Sequence, residues 1–439
     1  MKDSSKIFYG WWIVLALLTV SGTALSLTIT TFNIYLNQFT QSVGITPTQF
    51  ALCSTIINIT VMIFSPKVGK ILQQHTKKTL LVFLTGFCLS YAAFSLASNI
   101  YVLYLVAALF GFFSTGLTFM PPTILVNRWF IKKKGLAMSI ALSGSAIFGM
   151  ILSPFITYCI QNLSYQLAYQ IIAGLMFVMS SVLIIFLIKE KPEDIGLKAL
   201  GYGEESLTAE KKQTQDMALV YLAPNVLKKK PFFWSMLAAY FLIGFVGGGI
   251  VLQLPVFLQN TFGMQQAAQL LVVSLGIMIF AKILLGSLYD KLGAVKATAI
   301  VCSSILMTCV PFAMAFGQQA WLLGLIGVSF WGLGNCVGTV APAVIASRTY
   351  GHTHYGEVYG ICLRFQTLGI ATGVPAISMI VAATGSFTWV WMICSVLTLT
   401  LFSLFLIGFK GSQAYRSFEY ADLTTARSTS TDANCLVTD

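Results

Sequence analysis

The stretch Leu271-Val-Val-Ser-Leu-Gly-Ile-Met-Ile-Phe-Ala-Lys282-Ile-Leu-Leu-Gly286-Ser-Leu-Tyr-Asp290-Lys291-Leu-Gly293 decides how this chain is read. It is an apolar run of membrane-crossing length with one lysine embedded in it and a charged turn at its end. Roughly 20 residues of helix, rising about 1.5 Å each, cross about 30 Å of hydrocarbon. Comparable runs recur along the 439 residues, of which 57% are hydrophobic and only 9% charged. A soluble domain carries about a quarter charged residues, and no soluble core absorbs this much apolar surface. Lipid is therefore the solvent.

Spans are predicted at 11–37, 48–66, 79–98, 101–126, 135–160, 166–188, 232–259, 266–288, 297–316, 320–346, 357–383 and 386–409. The first apolar run, from Gly10 to about Leu36, is too long for a signal-peptide core and reads as a span. Even parity puts both termini on one side. Alternate loops then divide by charge. One set holds Lys67, Lys70, Lys77, Lys78, Arg128, Lys132, Lys133, Lys134, the connection 189–231, Lys291, Lys296 and Arg348, and the other set has no Lys or Arg. The positive-inside rule makes the first set and both termini cytoplasmic, with the chain in a plasma membrane. The net charge of +12 thus sets topology and implies no nucleic-acid partner. Its surroundings are membrane lipid.

The expected fold is an all-α integral membrane protein, twelve transmembrane helices arranged as two six-helix pseudo-repeat bundles. Residues 1–188 form the first bundle and 232–410 the second; 189–231 is a solvated connecting loop, and 411–439 a polar, disordered tail. The end of the second span (Gly69, Gln73, Lys77, Lys78) resembles the end of the eighth (Gly286, Asp290, Lys291, Gly293), with Gly69 and Gln73 spaced as Gly286 and Asp290 are. Nine cysteines are scattered without metal-ligand or redox spacing. His75, His352 and His354 all fall in loops, and no Walker loop, carboxylate pair or nucleophile elbow stands in a plausible context. No enzyme, cofactor or metal site is expected.

Lys282 and Arg364 are the ionisable side chains left well inside the spans, since Arg128, Arg348 and Glu357 lie at the edge. Each costs about 2.5–3.5 kcal/mol or more at bilayer depth, so a functional role is the default. Counting back to Asp290 and Glu357 places both at some 10–12 Å from the cytoplasmic end, which implies a shared site. The alternative is that both snorkel to the headgroups. Against it, no carboxylate in the spans neutralises either charge, and an incoming anion would. Trp331 and Asn335, one helical turn apart, would supply an aromatic wall and a hydrogen-bonding group; interhelical packing is the alternative for Asn335. Ser26, Thr30, Asn33 and Asn37 form a polar stripe on the first span, with Tyr35 off the stripe as a further aromatic. Asn58 and Gln253 are weaker candidates.

The segment Gly286-Ser-Leu-Tyr-Asp290-Lys291-Leu-Gly293 resembles the cytoplasmic loop signature of the major facilitator superfamily; in the partner copy Gln73 stands where the acid would be. Tyr9-Gly10-Trp11-Trp12, together with Arg128-Trp129-Phe130 running on through Lys133, Lys134, Gly135, Ser143-Gly144 and Gly149, resembles the monocarboxylate porter group. Within that group the chain looks most like the bacterial oxalate:formate antiporter family. The resemblance implies that Lys282 and Arg364 hold the substrate anion in an aromatic-walled cavity, and that Gly286, Asp290, Lys291, Gly293 and Arg128 belong to the gating loops. Lysine and arginine are exchanged relative to the oxalate pattern, which leaves the anion open, because guanidinium grips carboxylate bidentately and ammonium does not. The animal carriers' Asp–Arg pair on the eighth helix and lysine on the first are both missing here.

The function expected is exchange of small carboxylates by alternating access in a bacterial plasma membrane, by a carrier working as a monomer. A proton-linked monocarboxylate symporter and a non-transporting ligand sensor are the rivals. Topology is directly testable: a single cysteine placed in the 189–231 connection, on a background lacking the native cysteines, should react with an impermeant reagent only after the cells are permeabilised.

Overall fold

The computed structural model describes residues 8–202, 224–315, 320–350 and 354–435, with side chains of the last segment to 414; His352 lies outside the described residues. Eleven helices among them are long and apolar enough to cross a membrane. In chain order they are α1 (Gly10–Leu25), α2 (Pro47–Gln74), α3 (Thr76–Ala93), α4 (Ile100–Thr115, resumed by Met120–Trp129), α5 (Lys134–Asn162), α6 (Tyr165–Phe186) and α7 (Pro231–Phe262). Next comes Met264–Ala315, in which Gly293 has φ 81° and ψ 173°, a backbone that L side chains avoid; it separates α8 from α9 and brings the spans to twelve. Then follow α10 (Trp321–Gly334, resumed by Val340–Tyr350), α11 (Tyr355–Thr384) and α12 (Phe387–Cys435).

The first six spans pack on one another, as do the last six, and the halves meet along two seams, α2 against α11 and α5 against α8. Small residues set these approaches. A Cβ at Gly22 would meet the Gly144 backbone at 2.6 Å, which brings α1 onto α5, and Gly69 and Gly356 face each other backbone to backbone across the α2–α11 seam. In lipid, where apolar burial between helices yields little, such close packing is what holds helices together. The loops carrying lysine and arginine gather at one end of the molecule, here the basic end, through the bonds described below.

Four departures from the sequence reading have local physical causes. The second span runs on to Gln74 rather than stopping at Pro66, because contacts from α11 stand in for the missing donor. The first span is not one continuous helix: a π-helical turn (Ser26–Thr30) and a 3-10 turn (Phe32–Tyr35) interrupt it and rotate the expected stripe. Ser26 is buried, Thr30 lies against Gly149 of α5, and Asn33 and Asn37 are exposed. The connection is not solvated throughout, since Leu200 bonds to Trp129, Ile131 and Lys132 at 2.9–3.0 Å and docks its first part on the α4–α5 loop. Finally, α12 continues past Lys410 into the tail that was expected to be disordered, as propagating an existing helix adds one hydrogen bond for each residue fixed.

The glycine contacts can be tested. Gly144→Val places a branched side chain against the Leu18 carbonyl and Gly22 and should cost about 1–3 kcal/mol of stability. Gly174→Ala, where nothing lies within 4 Å of the added carbon, should melt at or above the parent temperature. Thermal melts of detergent-purified protein compare the two.

Candidate functional site

At the basic end each half reaches across a seam to cap a helix of the other. Asp290, at the end of α8, accepts hydrogen bonds from the backbone N–H of Gly135 (2.8 Å) and of Leu136 (2.9 Å), the otherwise orphaned first donors of α5. The carboxylate also sits where the positive end of the α5 dipole favours it, and Arg348 lies 3.3 Å away. Gly286 permits the approach, because any Cβ there would collide with Ser139 and the Gly135 carbonyl. Lys291 is exposed beside this contact.

The related end of α2 does the same with a neutral group. Gln73 Oε1 accepts from the Gly356 N–H, at the start of α11, at 2.7 Å. Arg128 supports it, donating to the Gln73 carbonyl, to Thr76 Oγ1 (2.9 Å) and to the Glu190 carbonyl (3.3 Å). Glu190 in turn accepts from the Lys77 N–H at 2.8 Å and caps α3. The glutamine at the acid's position is thus a working cap without charge, and the basic end is closed on both seams.

Deeper in, the two cations lie at matched depth. Lys282 is eight residues before Asp290 and Arg364 eight after Gly356, about 12 Å of helix in each case. Lys282 is 1% exposed; its Nζ donates to Ser145 Oγ at 2.8 Å and lies 3.5 Å from the Leu142 carbonyl, both on α5. Arg364 is exposed and donates from Nε to the Met62 carbonyl (2.9 Å) and from Nη2 to the Ile63 carbonyl (3.0 Å), both on α2. The cations therefore sit on different seams, and among the described residues each acceptor bonded to them is a neutral oxygen of the first half.

The interruption of α10 lies between the helices that carry them. Asn335 opens the 3-10 turn Asn335–Gly338 and points Nδ2 at Met278 Sδ (3.4 Å), a weak acceptor one turn before Lys282. From α11, Gln366 donates to the Gly338 carbonyl at 2.6 Å, and from α7, Tyr240 donates to the Pro342 carbonyl at 2.7 Å. Trp331 is 2% exposed and belongs to the buried core. Tyr35 is also interior: it stacks on Tyr169 with ring centroids 3.9 Å apart and shares a 3.2 Å hydrogen bond with Tyr91, inside the first half. Asn33 is exposed on its 3-10 turn. Asn58 bonds its own helix at Ser54, and Gln253 bonds Ser378 at 2.5 Å. Sequence reasoning missed Ser145 and Gln366; a lone serine or glutamine in a span carries no signal until its neighbour is known.

Two pseudo-repeated six-helix halves, capped together at one end and carrying mid-depth cations that have no carboxylate partner among the described residues, define a membrane carrier. Residues 14–373 match the Major Facilitator Superfamily, and the chain belongs to that superfamily of transporters. It is 24% identical over 429 residues to Monocarboxylate transporter 12 of Homo sapiens, covering 91% of this chain and 80% of that one. In fold it is similar to the proton:xylose symporter XylE bound to 6-bromo-6-deoxy-D-glucose (TM-score 0.71, 13% identity, 90% of this chain and 94% of that). It is similar also to the transporter FucP in the outward conformation (TM-score 0.64, 15% identity, 90% and 98%).

The two caps differ in a measurable way. Asp290→Asn keeps one acceptor but loses the charge, and charge-assisted hydrogen bonds are roughly twice as strong as neutral ones. Closure of the basic end should weaken by about 1–2 kcal/mol. A single cysteine at Ser139, buried beneath Gly286, should then react with maleimide about tenfold faster, while Gln73→Glu should slow it. An unchanged rate in Asp290→Asn would mean that the carboxylate does not hold the seam.

Proposed function

We propose that this transporter exchanges small organic anions of the oxalate or formate kind by alternating access, in a plasma membrane, with its basic end and both termini cytoplasmic. The observation that supports this reading best is the charge inventory at mid-depth. Lys282 and Arg364 are bonded to two backbone carbonyls, one further carbonyl at 3.5 Å and one hydroxyl, and, among the described residues, to no carboxylate. A cation in a low-dielectric interior is stabilised most by an anion, and here the substrate supplies it. The guanidinium takes one carboxylate edge, the ammonium acts as a point charge, and Asn335, whose side-chain partner among the described residues is a thioether, is left to donate to the ligand.

An empty site then holds two like charges, which opposes closure around nothing and favours reorientation only when loaded. Exchange follows from that penalty. Similarity to a protein named as a monocarboxylate transporter favours a second reading, net transport of a monocarboxylate, in which any proton moves on the substrate because the spans offer no acid to carry it.

Flux in liposomes separates these readings. Exchange predicts rapid uptake of oxalate or formate only when anion is present inside; monocarboxylate transport predicts net lactate uptake without internal anion. Binding without counterflow would favour a sensor. Lys282→Gln and Arg364→Gln should each reduce uptake at least a hundredfold, and Arg364→Lys should retain charge but lose bidentate geometry, leaving an intermediate rate. Undiminished uptake in Lys282→Gln would overturn the site.

A further inference from the structure

Pro66 lies inside α2. A proline has no N–H, so the carbonyl four residues earlier, that of Met62, loses its helical donor. In a membrane a freed carbonyl has to be satisfied by a neighbouring helix. It is this carbonyl that takes Arg364 Nε at 2.9 Å, with Nη2 on the adjacent Ile63 carbonyl. Ser65 Oγ is 3.5 Å from the same oxygen but bonds the Gly360 carbonyl more closely, at 2.9 Å. On the other seam Ser145 Oγ takes Lys282 Nζ at 2.8 Å. Neutral oxygens of the first half thus occupy donors that a carboxylate would use.

We propose that Pro66 and Ser145 are positioning residues that hold Arg364 and Lys282 against the first half until an anion displaces them. This rests on the anion-carrier reading above. Pro66 creates the acceptor for one cation by subtracting a backbone donor; Ser145 offers a hydroxyl to the other. Binding an anion then breaks one contact across each seam, so loading loosens α2 from α11 and α5 from α8 at mid-depth, the step that alternating access needs. The same contacts lower substrate affinity, because each must be exchanged for a bond to the ligand.

Two variants and two measurements test this. Pro66→Ala restores the N–H that bonds the Met62 carbonyl and releases Arg364; Ser145→Ala removes the hydroxyl from Lys282. In ligand-free purified protein, Arg364→Gln should lower the melting temperature of the parent but have little effect on Pro66→Ala, and Lys282→Gln should behave likewise with Ser145→Ala. With oxalate and formate as probes, Pro66→Ala and Ser145→Ala should each bind about tenfold more tightly, the size of one charge-assisted hydrogen bond no longer competing. A merely structural role would lower both stability and affinity. Additive melting changes on both seams, or binding unchanged or weaker in both variants, would overturn the proposal. Should Pro66→Ala fail to fold, Ser145→Ala decides. If the parent binds neither probe, the anion-carrier reading falls, and coupling in the ligand-free protein still decides the positioning role.

Discussion

Hydrocarbon offers no hydrogen-bond partner, so every charge and every interrupted turn inside the spans must be satisfied from within the protein. That constraint shapes what lies between the two halves. The carbonyl freed by Pro66 is met by Arg364, the ammonium of Lys282 by Ser145, and the broken turn of α10 by Gln366. The first two bonds cross between halves. A requirement that is local to one helix becomes a contact between the two parts of the carrier that have to move.

The basic end solves a related problem with exposed helix starts. Asp290 and Gln73 stand at equivalent places in the two halves and each caps a helix of the other half. One cap is charged and has an arginine beside it; the other is neutral, with Arg128 bonded to the backbone of the same residue. Neither bond is expensive to break when water can replace it, since the net worth of a hydrogen bond against water is only about 0.5–1.5 kcal/mol, somewhat more for a charged group. Close glycine packing brings the partners together, and weak caps let them part. A buried ion pair in their place would be costlier to separate.

The docked start of the connection extends the first half beyond its helices. Through Glu190, Lys189 and Leu200 it is bonded to α3 and to the end of α4.

Hydropathy and charge in the sequence alone determined the membrane class, the twelve spans, the gathering of basic loops at one end and the two mid-span cations. These follow from composition within single helices, where about 20 apolar residues or one misplaced charge is a complete signal. Tertiary structure decided the rest. It placed Lys282 and Arg364 on separate seams, turned Gln73 from a degenerate motif position into a cap, and moved Tyr35 and Trp331 into packed interiors. It also showed that the polar stripe of α1 is rotated by a π-helical turn, which helical spacing cannot reveal. Each of these depends on which residue of a distant helix lies opposite, and on backbone breaks whose cost is met across the seam. Neither is written in the local pattern of one span.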